Sequence, residues 1–294
     1  MIVLWLVTAA VFFTGYLGFI NIRGFSKAIS LVSGTSGKAN GSGEISHFQA
    51  LSTAISGTVG VGNIGGVAVA ISIGGPGAAF WLFMAGFLGM STKFVECTLG
   101  VKYRRENLDG SVSGGPMYYL ERYLLDRGFP KLGKLLGGFY ALALVIGCFG
   151  IGNMFQSNQA YVQVLSISGG ENSFFADKGW LFGLLLAGAV AAVIIGGIRS
   201  IGNVASKIVP FMAILYVFSA VIIIAMSAEH LISAIGLIVS NAFESQSMTG
   251  GGIGAMIIGF QRAVFSNEAG IGSASIAHAA VKTDELLLRV WFHC

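Results

Sequence analysis

Residues 48–73 read FQALSTAISGTVGVGNIGGVAVAISI, an uncharged run long enough to cross a bilayer. Its middle is the poorest helix sequence in the chain. Gly57, Gly60, Gly62, Gly65 and Gly66 fall within ten residues, with Thr58 and Asn63 as the strongly polar side chains among them. Each glycine disfavours a helix interior by ~1 kcal/mol relative to alanine, so the cluster predicts a broken helix. Broken backbone at membrane depth leaves N–H and C=O groups that lipid cannot satisfy. It persists only where protein or a water-filled cavity surrounds it. Secondary transporters build their midplane sites from such discontinuous helices.

Two other readings of this stretch compete. Gly60-Val61-Gly62-Asn63-Ile64-Gly65 matches the dinucleotide pattern G-x-G-x-x-G. That motif needs a preceding strand, a following helix and an acidic residue about 20 positions on. No acidic residue lies between Glu44 and Glu96, and the flanks are apolar far beyond strand length. Close helix packing through small residues is the second alternative. It asks for glycines on one face, and positions 57, 60, 62, 65 and 66 do not share one.

Composition sets the class. The 294 residues are 54% hydrophobic and 10% charged, with 44 glycines and a mean hydropathy of +0.79. Soluble domains carry about 25% charge, so this is an integral membrane protein. Cys97, Cys148 and Cys294 lie far apart without metal-ligand spacing, and the first two are expected inside spans as small core residues. Candidate spans are about 2–20, 48–73, 78–100, 135–165, 180–198, 208–227 and 250–280. The first lacks a basic leader and a cleavage site and reads as a retained helix. The segments 135–165 and 250–280 exceed the ~20 residues a crossing needs and must tilt, protrude or be interrupted.

Basic residues orient these spans. With an extracellular N-terminus, one side collects Arg23, Lys27 and Lys38, then Lys102, Arg104, Arg105, Arg122, Arg127, Lys131 and Lys134, then Arg199, Lys207, Lys282 and Arg289. The other side holds Lys178, while Lys93 and Arg262 fall within spans. This asymmetry follows the positive-inside rule, so the basic balance reports topology and implies no nucleic-acid partner. A charged cytoplasmic loop at 101–134 contains a helix-like stretch at Leu120–Asp126. An external segment at 228–249 has room for a short helix at Leu231–Val239.

Three further clusters carry polar chemistry. In 250–280, Gly250, Gly251, Gly252 and Gly254 open the span and Gly259 divides an apolar run. Arg262, Ser266, Asn267 and Glu268 follow. Arg262 and Glu268 would face opposite sides of a continuous helix, so a break or separate partners must serve them. They are candidates for bracing or gating, and for substrate contact. In 135–165, Asn153, Gln156, Asn158 and Gln159 exceed what helix gluing needs, and Gln156 is expected to face a polar cavity. Lys93 and Glu96 are three apart on one face and should neutralise each other. His47, His230 and His278 are expected to be solvated near the membrane interfaces.

Several motifs together resemble a known family. They are Gly57-Thr58-Val59-Gly60-Val61-Gly62-Asn63-Ile64, Gly74-Gly75-Pro76-Gly77, Lys93-Phe94-Val95-Glu96, Gly114-Gly115-Pro116-Met117-Tyr118-Tyr119 and Phe265-Ser266-Asn267-Glu268-Ala269-Gly270-Ile271-Gly272-Ser273. From about residue 10 to 285 the chain is similar to the bacterial alanine/glycine:cation symporters. The resemblance implies an all-α, multi-pass protein of the bacterial inner (plasma) membrane with the inverted-repeat fold of the leucine transporter. It implies one membrane domain over 1–285: an extra N-terminal helix at 2–20, a first repeat at about 45–227, and the first helix of a second repeat at about 250–280. Members continue further, so the chain is expected to be truncated there and inactive alone, with 286–294 as an aberrant tail.

The resemblance also implies sodium-coupled uptake of alanine or glycine, with Na⁺ as coupling ion and no cofactor. It places Thr58, Gly60, Val61, Gly62, Asn63, Gln156 and a position near Ile258–Gly259 at the amino acid, and backbone near Gly57 and Gly60 at sodium. Val61 departs from the threonine that many members carry there. Two other classes stay in view. A channel or proton-linked transporter would need a lined pore or a chain of intramembrane acids, for which Glu96 and Glu268 are the candidates. An intramembrane hydrolase would need serine and histidine at one depth, and a metal enzyme a His/Glu cluster; neither pattern is present.

Overall fold

The computed structural model describes residues 2–33, 42–244 and 251–283. The stretch 34–41 and the tail 286–294 lie outside them. The described chain is helical almost throughout. Helix α1 (Ile2–Tyr16) ends earlier than the predicted 2–20. Gly18 and Phe19 are both left-handed, with φ of +58° and +57°, and turn the chain into α2 (Ile20–Arg23) and α3 (Phe25–Val32).

Helix α4 (His47–Thr58) opens with a reciprocal cap. The Gln49 N–H donates to Ser46 Oγ at 3.2 Å, and the Ser46 N–H donates to Gln49 Oε1 at 2.9 Å. Val59 and Gly60 are extended, and α5 (Val61–Gly74) resumes beyond them. The glycine cluster therefore does break the helix.

Helix α6 (Gly77–Lys102) matches the predicted 78–100. A two-stranded antiparallel hairpin, β1 (Arg105–Glu106) and β2 (Val112–Ser113), follows. Then come α7 (Pro116–Asp126), longer than the expected Leu120–Asp126, and α8 (Pro130–Gly147). A π-helical segment at Cys148–Met154 links α8 to α9 (Phe155–Ile167). Of the three outcomes open to 135–165, tilt, protrusion or interruption, this is an irregularity within a helical stretch that runs continuously over 130–167, and π segments concentrate at functional sites. Helix α10 (Gly179–Ile194) precedes α11 (Gly197–Met226), which starts well before the predicted 208 and contains Pro210. The short external helix is present as α12 (Leu231–Phe243). The final predicted span divides into α13 (Gly251–Asn267) and α14 (Ser273–Ala279).

Among the described residues, four helical stretches are long and apolar enough to cross a membrane: 47–74, 77–102, 130–167 and 197–226. Helices α1, α10 and the 228–243 segment are apolar but shorter. Large apolar side chains such as Phe139, Phe211 and Ile214 are exposed on the outside, as lipid contact requires. Cys148 is exposed there too, so it is not the core residue its position suggested, while Cys97 is half-buried.

Helix α6 is the hub, packing against α1, α5, α12, α13 and α14, while α4 packs against α11 and α14. Close approach rests on small residues, as membrane helices favour. A Cβ on Gly100 would stand 2.7 Å from the Ser275 carbonyl oxygen. Ser91 and Ser275 are fully buried, and the Thr14 hydroxyl lies 3.1 Å from that of Ser91. At the predicted cytoplasmic end, Ile45 bridges to Val281, and Ala50, Ala280 and Val281 bury the contact between α4 and α14.

Candidate functional site

The first break places polar backbone beside α9 and α13. The Gly60 N–H donates to Asn63 Oδ1 at 3.2 Å, and the Asn63 N–H donates to the Gly60 carbonyl at 3.0 Å. Asn63 thus caps its own helix start, a role that the expected substrate contact left out. The Thr58 hydroxyl donates back to the Ala54 carbonyl at 3.0 Å, which leaves its oxygen to accept. The opening turn of α5 carries amides without intrahelical acceptors, and the last turn of α4 carries carbonyls without intrahelical donors. Gly57 adds open backbone, with no atom within 4 Å of where a Cβ would stand.

Gln156, on α9, reaches this break. Both atoms of its carboxamide end lie 3.4 Å from the place a Gly60 Cβ would occupy. Gln156 and Gly60, both placed at the amino acid by the family resemblance, are therefore neighbours. Asn153 and Asn158 are exposed elsewhere on the same stretch.

Helix α13 supplies the opposite wall, through residues the sequence did not single out as contacts. A Cβ on Gly62 would stand 3.2 Å from the Phe265 ring, and 3.9 Å from Ser266 Cα. Phe265 in turn meets Phe155 edge-on, with ring centroids 6.1 Å apart. Ser266 is buried. Ile258 and Gly259 do not join this cluster. Ile258 lies against Gly74, at the far end of α5. That helix has 14 residues, so the two ends are roughly 20 Å apart. A Cβ on Gly259 would stand 2.7 Å from Trp81 Cβ and 2.8 Å from the Ala78 oxygen. Gly259 is a packing glycine against α6, and it does not divide α13.

The second break falls at Glu268–Gly272, immediately after Phe265–Asn267. Glu268, Gly270 and Gly272 are left-handed, with φ of +52°, +94° and +91°. The Gly270 N–H donates to Glu96 Oε1 at 2.5 Å, and the Ile271 carbonyl accepts from the Tyr140 hydroxyl at 2.9 Å. The Ser273 hydroxyl donates to Glu268 Oε2 at 2.5 Å. Arg262 and Glu268 make no ion pair with each other among the described residues, and Glu268 itself lies at the break, just past the end of α13. Lys93 and Glu96 do meet, at 3.8 Å. On α7, outside the predicted spans, burial pushes the Tyr119 phenol up to about 12, with the charges of Glu96 and Cys97 adding to it. Its hydroxyl stands 3.3 Å from the place of a Gly272 Cβ.

Two broken helices thus meet, Gly62 against Phe265, with an amide from a third helix beside them. Residues 1–287 match the sequence profile of the sodium:alanine symporter family. The chain belongs to the sodium:alanine symporter family. It is 46% identical over 285 residues to the sodium/alanine symporter AgcS of Methanococcus maripaludis, an alignment covering 97% of this chain and 60% of that protein. An uncharacterized transporter of Haemophilus influenzae is 40% identical over 274 residues, covering 92% of this chain and 57% of the relative. The amino-acid carrier protein AlsT of Bacillus subtilis is 36% identical over 276 residues, with 93% and 55% covered. The chain therefore spans little more than half the length of these relatives. Family membership and the four long apolar stretches make it a membrane protein.

The family motifs now have positions. Gly57–Ile64 is the first break and the start of α5, Phe265–Ser273 the second break, and Lys93–Glu96 the part of α6 that faces it. Gly74–Gly77 is the tight turn between α5 and α6. A Cβ on Gly77 there would stand 2.5 Å from the Ala242 nitrogen, so α12 seals that corner. His278 differs from its expectation: it is partly buried, with Nδ1 3.0 Å from the Ala274 oxygen, so it is no freely solvated histidine.

Proposed function

We propose that the protein is a secondary active transporter of the bacterial plasma membrane, coupling sodium entry to uptake of a small neutral amino acid, alanine or glycine. The observation that carries this reading is the meeting of two broken helices at Gly60–Gly62 and Phe265–Gly272. Each break exposes backbone that lipid would reject. One half-helix start offers amides and partial positive charge, which suit the substrate carboxylate. Carbonyls at the end of α4 offer the oxygen ligands that a hard cation prefers. The Gln156 carboxamide and the Thr58 oxygen can accept from the substrate ammonium group.

Asn63 serves differently in this reading. Its Oδ1 is committed to the Gly60 N–H, so it shapes the break that the amino acid enters. Phe155 and Phe265 close the apolar side around a substrate of one methyl or none. The two paired breaks also support an inverted-repeat, leucine-transporter-like architecture, in which a bundle rocks about the site. A proton-linked transporter is the second reading, favoured by Glu96 and Glu268 beside the second break.

The test is uptake of radiolabelled alanine and glycine by the full-length protein in proteoliposomes. Accumulation should require an inward sodium gradient and vanish when a sodium ionophore dissipates it. Accumulation driven equally by a proton gradient without sodium would favour the second reading. Substrate movement without concentrative uptake would exclude both. Alanine and glycine differ by one methyl, worth only ~1–3 kcal/mol of discrimination, so both should be carried.

A further inference from the structure

Glu96 lies on α6 and is 6% exposed. Its Oε1 accepts the Gly270 N–H at 2.5 Å. Among the described residues its Oε2 is buried without a hydrogen-bond donor and faces Lys93 Nζ at 3.8 Å, which is itself without a hydrogen-bond acceptor there. A buried ion pair is weak evidence for stability, because desolvation offsets the attraction. One neutral acceptor would satisfy the same N–H without a counter-charge. The arrangement is better explained by what the carboxylate holds.

It holds the second break. Glu268 is left-handed without being glycine, a conformation costing on the order of 1–2 kcal/mol that persists only when the surroundings impose it. Three side chains impose it from three elements: Glu96 of α6 on the Gly270 N–H, Tyr140 of α8 on the Ile271 carbonyl, and Ser273 of α14 on the Glu268 carboxylate. The contact from α6 is the charge-assisted one to backbone, the strongest kind. Two and three residues before the break stand Ser266 and Phe265, the wall against Gly62.

We infer that Glu96 is a positioning residue for transport: through Gly270 it fixes the second break, and with it the seating of Phe265 on Gly62, while Lys93 supplies the counter-charge. The inference rests on the transport reading above, since the wall it positions is the one assigned to substrate. Glu96 acts through backbone and touches neither amino acid nor cation.

Two double variants separate the acceptor from the charge in the full-length protein. Lys93→Met with Glu96→Gln keeps an acceptor of the same length, whereas Lys93→Met with Glu96→Leu removes it without leaving an orphan charge. Backbone hydrogen exchange over peptides spanning 266–274 should be about tenfold faster in the leucine pair, with the glutamine pair close to wild type. The KM for sodium-driven alanine uptake should rise about tenfold in the leucine pair and change little in the glutamine pair. Equal exchange in the two pairs would overturn the inference. Faster exchange with an unchanged KM would confine Glu96 to folding and overturn its role in transport. A wild type without sodium-driven uptake would refute the transport reading, while the exchange comparison still decides whether Glu96 holds the break. If the leucine pair fails to fold, Glu96→Asp, one methylene short of Gly270, should show the same two shifts at smaller size.

Discussion

The guanidinium of Arg104 donates to the Val281 carbonyl at 2.9 Å, so the end of α6 locks the ends of both broken helices together. The same group donates to the carbonyls of Ala279 at 3.3 Å, Thr283 at 2.9 Å and Ser42 at 2.8 Å. Ala279 ends α14, and Ser42 leads into α4. The carbonyls beyond a helix end need donors, and Arg104 gathers those after α14 together with that of Ser42, from two distant segments of the chain at once. Backbone bonds from Glu44 N–H to the Ala280 carbonyl at 2.7 Å, and from Lys282 N–H to the Ile45 carbonyl at 2.9 Å, complete the joint. A bundle that rocks about the site, as proposed, would open toward the predicted cytoplasmic side by parting this joint.

Arg104→Met should therefore destabilise the protein. Its side chain is 8% exposed, and removing a buried charged donor from several carbonyls costs about 2–4 kcal/mol. The thermal midpoint in detergent should fall by several degrees, and a cysteine introduced at Ser42 should react faster with a cytoplasmic thiol reagent. Arg104→Lys should restore only part of either, because an ammonium cannot span the fork. An unchanged midpoint together with an unchanged labelling rate would show that the joint is held by the backbone pairing alone.

Gln156→Leu keeps the volume against Gly60 while removing the amide. The KM for alanine should rise at least about tenfold, as expected when a polar substrate group loses one of its two side-chain partners. Membrane insertion and the thermal midpoint should stay close to wild type, because the change moves α9 toward greater apolarity. Wild-type KM in this variant would remove Gln156 from the site.

Asn63 offers a sharper distinction, because its cap and its location can be separated. Asn63→Asp keeps an acceptor for the Gly60 N–H, so folding should be unaffected, yet it sets a negative charge at the start of α5. If the substrate carboxylate sits on those amides, alanine binding should collapse. Asn63→Leu loses the cap and should lose both binding and about 1 kcal/mol of stability. Calorimetric binding beside thermal unfolding reads both effects, and full alanine affinity in Asn63→Asp would place the carboxylate elsewhere.

What could be read from the sequence followed the strength of the local signal. Five glycines around Asn63 left no helix to propose through Val59 and Gly60, so the first break was legible. The second was legible as an interruption but not in place. Gly250–Gly254 and Gly259 looked like breakers, yet Gly259 is needed for the approach of Trp81, while the turn rests on Glu268 in a left-handed conformation that sequence does not advertise. Ile258 was drawn to the substrate by its order along the family pattern, which does not say which end of α5 it meets. Phe155 and Phe265 carry no polar group, so nothing in their sequence positions marked them as neighbours of Gly62 and of each other. Glu96 was hidden by Lys93: a partner three residues away explained the charge and left no reason to look for Gly270.

The contact between Gly62 and Phe265 gives the most direct test of how the two breaks are joined. A Cβ on Gly62 would stand 3.2 Å from the ring, tight enough to force the ring aside. Gly62→Ala should be tolerated with reduced uptake, because a single methyl can be met by a small ring shift. Gly62→Val adds branching that the ring cannot clear, and the overpacking should cost about 1–3 kcal/mol. It should also abolish alanine uptake, because Phe265 would lose its edge-on contact with Phe155. Shrinking the ring should reverse this. Gly62→Val combined with Phe265→Ala should fold better than Gly62→Val alone, and a double-mutant cycle on the thermal midpoints should return a coupling of at least about 0.5 kcal/mol. Additive midpoints would mean that Gly62 and Phe265 do not press on each other in the membrane, and the two breaks would then have to be joined by some other contact.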